Sequence, residues 1–597
     1  MPLIPVHIQP HIVLGIIALL FITIYKQWLK PTIAFLFASI TLLVLGLISP
    51  SDVLEGFSNE AIASVVLLIL ITAGIRENFN IEIFLDRFFG QAKGYKAFLL
   101  SMMGKVALLS SFTNNTPVVI IMTPYVFNWG RKNNISPSKL LIPLSYSTIL
   151  GGMITMIGTS TTLILNGFLI ENNLSEIKPL ELLITGTIVA IICITFLALF
   201  SNLLLPSKRD IIERFELNKR EYLIEKRLSK NSPLIGKNII EGELRNLSGV
   251  YLVEIVRQEN IISPVTPSEI IQKDDILIFA GNTDNIIDLT LANIGIELPP
   301  KLTPSITGKL KVVETVVSAN SSLLGKTIKE SNFRGRYDAA VVAIHRNGEK
   351  LSGKIGRIAL KAGDVLLLYT GDQFLNRVDL YKDLYIIAGD EKEIQPNKKN
   401  KHKLLALLAA AVILLVSQIF NLFVSLLILL AIAVSFKLVT LKNVKRDLDI
   451  NLVVILVLSI SIGEAMINTG AGKLVASALL ELLADHGKVA VLAGLMIITT
   501  LFTSLITNIG AVAIAFPLAL ATAMKLAIPG DPFYLGIAFA ASAAFLTPIG
   551  YQTNLIVYGP GGYNFKDFLK IGLPVTVIYL AVSLSIIVFL YRDLLLA

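Results

Sequence analysis

Cysteine is nearly absent from these 597 residues: Cys193 stands alone, inside an apolar run. A disulfide within the chain and a cysteine-built metal site are both excluded. Histidine is sparse, with residues only at 7, 11, 345, 402 and 486. His7 and His11 have the i,i+4 spacing of a ligand pair, but Pro10 lies between them and no carboxylate is near. Interfacial or loop positions are the better reading. Charge is scarce too, at 16% of residues against 54% hydrophobic, and mean hydropathy is +0.71. That balance argues against a soluble enzyme and for an integral membrane protein with a soluble insert. The net charge of +9 is dispersed. With no basic stripe interleaved with aromatics, nucleic acid is not an expected partner. The opening MPLIPVHIQPHIVLG has no basic n-region and no A-x-A site, and reads as a retained first span.

What is present is a repeated polar element inside apolar sequence. Residues 111–124 read SFTNNTPVVIIMTP and 504–517 read SLITNIGAVAIAFP. Each runs Ser (111 or 504), Asn (115 or 508), Pro (124 or 517), and the offset is 508 − 115 = 393. A second pair, Thr155-x-Ile157-Gly158-x-x-Thr161 and Thr547-x-Ile549-Gly550-x-x-Thr553, is offset by 550 − 158 = 392. Paired interruptions of hydrophobic segments point to the binding site of a secondary transporter.

Apolar runs near 12–25, 32–48, 61–75, 140–170 and 181–205 are long enough to cross a bilayer, and the second half repeats them near 403–420, 422–437, 451–467, 534–560 and 571–591. Two more, at about 97–127 and 489–523, carry the Ser…Asn…Pro motif at their middles. Each is expected to be a re-entrant hairpin, because irregular backbone at membrane depth must be buried in protein or line a cavity. Charge orients the chain. Lys26, Lys30, Arg76, Arg87, Lys93, Lys96, Arg131, Lys132, Lys139, Lys437, Lys442, Lys445, Arg446, Lys566 and Lys570 fall on one side if the hairpins return to their own side. Residues 1–12 and 49–60 carry no Lys or Arg. The expected fold is an α-helical polytopic membrane protein: an inverted repeat of five spans plus one re-entrant hairpin each, residues 1–205 and 403–597, with both termini outside. A plain bundle without hairpins would place Arg131 and Lys132 outside.

Residues 206–402 differ, with mixed charge, alternating apolar residues and Gly turns. They follow the basic stretch 208–230 and are expected in the cytosol. SPLIGKNI at 232–239 matches SSLLGKTI at 321–328, and both Gly236 to Gly325 and Asp275 to Asp364 are offset by 89. Alternating strands are expected at 250–256, 276–280, 339–345 and 365–369. The insert thus reads as two tandem α/β modules, 206–310 and 311–402, packed as a pseudo-dimer. Gly325-Lys326-Thr327 imitates the end of a P-loop, but Asn320 stands where that motif needs Gly, so a structural turn is the reading. No G-x-G-x-x-G occurs in the insert, and no organic cofactor is expected.

The breaks carry the chemistry. Amide, hydroxyl and freed carbonyl oxygens supply sodium ligands without fixed charge. Ser111, Asn115 and the Gly158 carbonyl would form one cage, and Ser504, Asn508 and the Gly550 carbonyl its mate. Past each tip a half-helix begins, with Pro117 suited to a first turn. Its N-terminus favours an anion. No Lys or Arg lies between Val106 and Asn128 or between Val489 and Thr522, so bound sodium would supply the missing positive charge. Asn114, Asn115, Thr116, Thr161, Thr162, Thr507, Asn508, Thr553 and Asn554 are the candidate anion-binding residues, with Asn115 and Asn508 shared with the sodium cages. The competing reading is polar residues that hold helices together. Glu464, in an apolar run, is a functional candidate by default. It keeps a sodium/proton antiporter open, or pairs near a span end.

These residues resemble the divalent-anion:sodium symporter family of the ion-transporter superfamily. Thr113-Asn114-Asn115-Thr116-Pro117, Ile157-Gly158-Thr159-Ser160-Thr161 and 547–554 carry the resemblance, which covers about 10–205 and 403–592. It implies a homodimer whose transport domain slides as an elevator. Similar members carry Ser-Asn-Thr at both tips; here Ile509 replaces the second hydroxyl. That asymmetry tilts substrate choice from a C4-dicarboxylate toward a compact anion such as sulfate. The insert resembles tandem C-terminal ligand-binding domains of potassium-conductance regulators, as in the sulfate-permease branch. The resemblance implies a small cytosolic ligand, cyclic di-nucleotides among the options. The combined expectation is a sodium-coupled sulfate symporter of the inner membrane. A C4-dicarboxylate symporter, an antiporter and a transporter-shaped anion sensor stand as alternatives.

Overall fold

The computed structural model describes residues 4–78 and 94–208 (less 27 and 30), much of 223–388, a few residues of 403–414, and 419–439, 450–548 and 550–596. Most of the expected span at 403–420 lies outside the described residues, as do Lys30, Arg87, Lys93, Lys442, Lys445, Arg446 and residues 209–222 of the basic stretch.

Among the described residues, the elements of the first half are helices: α1 (Gln9–Tyr25), α2 (Pro31–Val44), α3 (Pro50–Ser58), α4 (Glu60–Asn78), α5 (Tyr95–Ser110), α6 (Asn115–Lys132), α7 (Leu141–Gly152), α8 (Ser160–Glu171) and α9 (Pro179–Leu204). After the insert, with its short helices α10 (Phe333–Tyr337) and α11 (Phe374–Tyr381), the chain resumes with α12 (Leu422–Ser435) and α13 (Ile450–Asn468). Then come α14 (Ala471–Leu483), α15 (Lys488–Leu505), α16 (Asn508–Leu526), α17 (Asp531–Ser542), α18 (Gln552–Tyr558), α19 (Phe565–Leu590) and α20 (Arg592–Leu595).

Among the described residues, five helices are long and apolar enough to cross a bilayer: Pro50–Ile71, Pro179–Leu204, Lys488–Leu505, Asn508–Leu526 and Phe565–Leu590. Val453–Asn468 and Ala471–His486 add a sixth if counted together across their 67° bend. Other expected spans are short or broken. The run at 140–170 splits into α7 and α8, and the run at 534–560 into α17 and α18. Each of α7, α8 and α17 has 12 residues, about 18 Å of helix, which is too short to cross a core of about 30 Å alone.

The two halves repeat their packing. α5 and α6 lie against α7 as α15 and α16 lie against α17; α6 touches α18 as α16 touches α8. The helices that open each pair are preceded by matched glycines, Gly94 (φ +95) and Gly487 (φ +88), in a region that side chains rarely adopt. Close approach is built from small residues, as expected where helices meet in lipid. A Cβ on Gly151 would collide with the backbone of Ala107, and one on Gly572 with Phe545 O.

Among its described residues, the insert holds two five-stranded antiparallel sheets. The first has β1 (Leu223–Leu228), β2 (Val250–Arg257), β3 (Asn260–Ile262), β4 (Ile276–Gly281) and β5 (Ile296–Glu297), ordered β3-β2-β4-β1-β5. The second has β6 (Val312–Val317), β7 (Ala339–Arg346), β8 (Glu349–Lys350), β9 (Val365–Thr370) and β10 (Leu384–Ala388), ordered β10-β6-β9-β7-β8. Under the 89-residue offset these are one topology. The same bidentate pair locks each: Arg257 on Asp275 at 2.9 Å, and Arg346 on Asp364 at 2.7 and 2.8 Å. The buried Asp364 hydrogen-bonds the Arg346 guanidinium and raises its pKa. Arg334 joins the modules, donating to Val265 O and Leu252 O at 2.6 and 3.1 Å.

Gly151→Ala must part α5 from α7. It is expected to destabilise the protein by about 1–3 kcal/mol, read as a lower Tm in detergent. Gly104→Ala, with open space at its Cα, should leave Tm unchanged.

Candidate functional site

Four chain breaks meet where the helix pairs α5–α6 and α15–α16 touch α7–α8 and α17–α18. α5 ends at Ser110 and α6 starts at Asn115; α15 ends at Leu505 and α16 starts at Asn508. The backbone turns extended at Asn114 (ψ 139°) and Thr507 (ψ 152°) before each new helix. Thr507 caps α16, accepting from Gly510 N–H at 3.3 Å. Thr159 caps α8, accepting from Thr161 N–H at 3.4 Å. Pro117 lies in the first turn of α6, where its missing N–H costs little.

The freed polar groups are satisfied in matched fashion. Ser110 Oγ lies 2.6 Å from the Asn115 amide and 3.0 Å from Thr148 O. Thr503 Oγ1 lies 2.8 Å from the Asn508 amide and 2.6 Å from Ala541 O. Ser110 and Thr503, like Thr148 and Ala541, are 393 apart. A third matched bond closes each turn: Thr155 donates to Ser111 O, and Thr547 donates to Ser504 O at 2.8 Å.

One end of the Asn115 amide faces Ser110 Oγ, Thr148 O at 3.0 Å and Gly158 O at 3.3 Å; the other faces Tyr551 Oη at 2.9 Å. With nitrogen at the inner end, the amide donates to both carbonyls and its oxygen accepts from Tyr551. With oxygen there, the carbonyl oxygens of Asn115, Thr148 and Gly158 and the hydroxyl of Ser110 face one another. The hydrogen-bond network sets the orientation. The nitrogen-inward one satisfies every group present.

Asn115, Gly158 and Thr116 therefore share one neighbourhood with the second half. Thr116 Oγ1 donates to Gln552 Oε1 at 3.3 Å. Gly550, the residue before Tyr551, packs on the second tip: a Cβ there would lie 2.9 Å from Thr503 O and 3.4 Å from Ser504 Cα. One short segment, 550–552, thus touches both hairpins. Ser111 and Ser504 turn their hydroxyls onto their own helices, donating to Leu108 O and Thr500 O at 2.7 Å. Thr162 donates to Met156 O and Thr159 O, both at 3.1 Å. Asn554 donates to Ala544 O and Thr547 O at 2.6 and 3.1 Å. Ser145 reaches Thr553 Oγ1 at 3.0 Å and Asn554 Oδ1 at 2.7 Å. Thr161 Oγ1 is 3.1 Å from Thr159 Oγ1. Glu464 is half-buried on α13, and its neighbour Gly463 packs on Phe168 of α8.

Sequence reasoning missed Ser110, Thr503, Ser145, Tyr551 and Gln552. The 393-residue offset would have found the first two, a hydroxyl in both copies. Tyr551 and Gln552 have no such signature, since Thr159 and Ser160 stand at the matching places.

Oxygen-lined chain breaks buried in a polytopic helical protein define a membrane transporter. The profile described as "Citrate transporter" matches residues 17–431 and 412–597, and the chain belongs to that family. Among similar proteins is a "Putative sulfur deprivation response regulator" of Chlamydomonas reinhardtii, 32% identical over 93% of this chain and 98% of that one. An uncharacterized transporter of Synechocystis is 29% identical over 98% and 97%. "Sodium/sulfate cotransporter 2" of Chlamydomonas reinhardtii is 28% identical over 61% of this chain and 43% of its own length.

Thr503→Val would leave Ala541 O and the Asn508 amide without their shared hydroxyl. A loss of about 1–3 kcal/mol is expected, with a matching loss for Ser110→Ala, both read as Tm in detergent.

Proposed function

We propose that the protein is a sodium-coupled symporter of a divalent anion, with sulfate as the favoured substrate. The observation that carries this is the matched pair of hydroxyl–amide–carbonyl clusters at Asn115 and Asn508. A sodium ion and the inward amide nitrogen are alternative ways of satisfying the Thr148 and Gly158 carbonyls. The oxygens of Ser110, Asn115, Thr148 and Gly158 suit a hard monovalent cation, as do those of Thr503, Asn508, Ser504 and Ala541. Ser111 and Gly550 belong to the same shells through backbone oxygen or close packing.

The anion is assigned between the tips, near the N-termini of α6, α8 and α16. Peptide N–H groups there favour negative charge, and no Lys or Arg lies between Val106 and Asn128 or between Val489 and Thr522 to supply it. Asn114, Thr116, Thr161, Thr507 and Thr553 are the candidate donors. Asn554 and Thr162 act behind them, holding the breaks open. Ile509 in place of a hydroxyl favours a compact oxyanion over a dicarboxylate. Relatives named as sodium/sulfate cotransporters support the same choice.

In this reading the two halves are inverted repeats, the insert and basic loops face the cytosol, and both termini lie outside in the plasma membrane. The chain works as a homodimeric elevator, and the tandem modules regulate it through a small cytosolic ligand. One further reading has specific support: a similar protein along nearly its whole length is named a sulfur deprivation response regulator, which favours an anion sensor of transporter shape.

Radiolabelled sulfate uptake into proteoliposomes should rise with an inward sodium gradient. Indifference to sodium rejects the coupling, and sulfate binding without uptake selects the sensor. Asn115→Ala and Asn508→Ala are each expected to raise the half-activating sodium concentration about tenfold, the loss of roughly 1.4 kcal/mol of ion binding. Normal sodium activation in both variants would reject the assigned sites.

A further inference from the structure

The second insert sheet has two apolar faces. Val313, Val317, Leu366 and Leu368 lie on the face covered by its own helices α10 and α11, through Phe333, Tyr337, Phe374 and Val378. Val316, Val365, Leu367 and Tyr369 lie on the other, and they are buried in the same cluster as the membrane helices. A sheet must bury both apolar faces. Here the second cover is supplied in part by the membrane helices that carry the site.

The contact falls on α18. The turn at Gly363 (φ +81) sits on Leu555, and a Cβ added there would lie 2.8 Å from that side chain. Gly559 meets Val365 and the Gly363 carbonyl so closely that its missing Cβ is what admits β9. Strand β10 packs along α6. Val316, Val317, Ser318 and Tyr385 line one small crevice together with Gln552 and Leu555. Ser318 donates to Tyr385 Oη at 3.0 Å across its rim. Gln552 is the residue that Thr116 of the first tip bonds. The module therefore reaches the wall of the site itself, rather than hanging from a linker.

We propose that the second insert module is a cytosolic door on the transport site, held shut by the seating of β6, β9 and β10 on α18. What the door excludes rests on the reading of the site as an anion pathway; that it covers Gln552 does not. α18 has seven residues, about 10 Å of helix, and it begins at the break. A body packed along one flank of so short a segment constrains its tilt, and hence the position of residues 550–552 between the two tips. Opening needs the Val365–Gly559 and Gly363–Leu555 contacts to separate. A ligand that favours the undocked module would raise transport by its differential affinity for the two states.

Two measurements test this, both on the full chain with Cys193→Ala, which removes the sole native thiol. In inside-out vesicles, a membrane-impermeant maleimide should label Gln552→Cys slowly. Adding Tyr385→Ala or, separately, Val365→Asp should speed labelling at least tenfold. Equal rates with and without both added changes would overturn the door. In proteoliposomes, Ser318→Cys with Leu555→Cys puts one thiol on the module and one on α18, in the crevice that both residues line. Oxidation should cut sodium-driven sulfate uptake at least tenfold and dithiothreitol should restore it. Uptake that ignores the cross-link overturns the proposal. Reduced protein that takes up no sulfate rejects the substrate reading alone, and the labelling result then decides the door.

Discussion

Everything in this molecule follows from the demand that backbone interrupted inside a membrane find partners within the protein. Helices hide their polar groups in hydrocarbon; breaks expose them, each unsatisfied group costing several kcal/mol. Here four breaks are gathered in one place, so that the loose ends of one are answered by another. Ser110 serves Thr148 O, Thr503 serves Ala541 O, and Asn115 spans Thr148 and Gly158 on one side and Tyr551 on the other. Glycines make the gathering possible. Gly151, Gly152 and Gly158 let backbones and the Asn115 side chain approach where any Cβ would collide.

The proposed ion and anion sites draw on that same solution. Groups that answer one another by hydrogen bonds can answer an ion or an oxyanion instead, with little rearrangement. The Asn115 amide expresses this in one side chain, because its two ends are isosteric and opposite in polarity. Turning it exchanges a donor for an oxygen ligand among the same neighbours. The second half repeats the hydroxyl, amide and carbonyl through Thr503, Asn508 and Ala541. It departs at Ile509 and at Tyr551 and Gln552, where the first half has Thr116, Thr159 and Ser160. The two tips are alike in how they are held and unlike in what they present.

The insert obeys the same economy of surfaces at a coarser scale. Each module repeats a five-stranded topology and an Arg–Asp lock. The first module shares the burial, through Val256 and Ile278 in the large common cluster. The buried cluster of the helices thus extends into both sheets.

Hydropathy, the 393-residue offset and the 89-residue offset made much of this legible in the chain alone. They show a polytopic helical protein, two like halves, two like modules, and the Asn-centred motifs at 115 and 508. Periodicity is a local property, so the strands at 250–257 and 339–346 were equally readable. The partners of those motifs were not. Tyr551 meets Asn115, Gln552 meets Thr116, and Val365 meets Gly559 across hundreds of residues. The serine hydroxyls expected as ligands bond their own helices instead, while their neighbours Ser110 and Thr503 face the breaks. Side-chain direction at a helix end depends on which helix packs beside it. Sequence determined which residues are polar at membrane depth; only tertiary packing decided which of them face one another, because those contacts join segments that no local pattern relates.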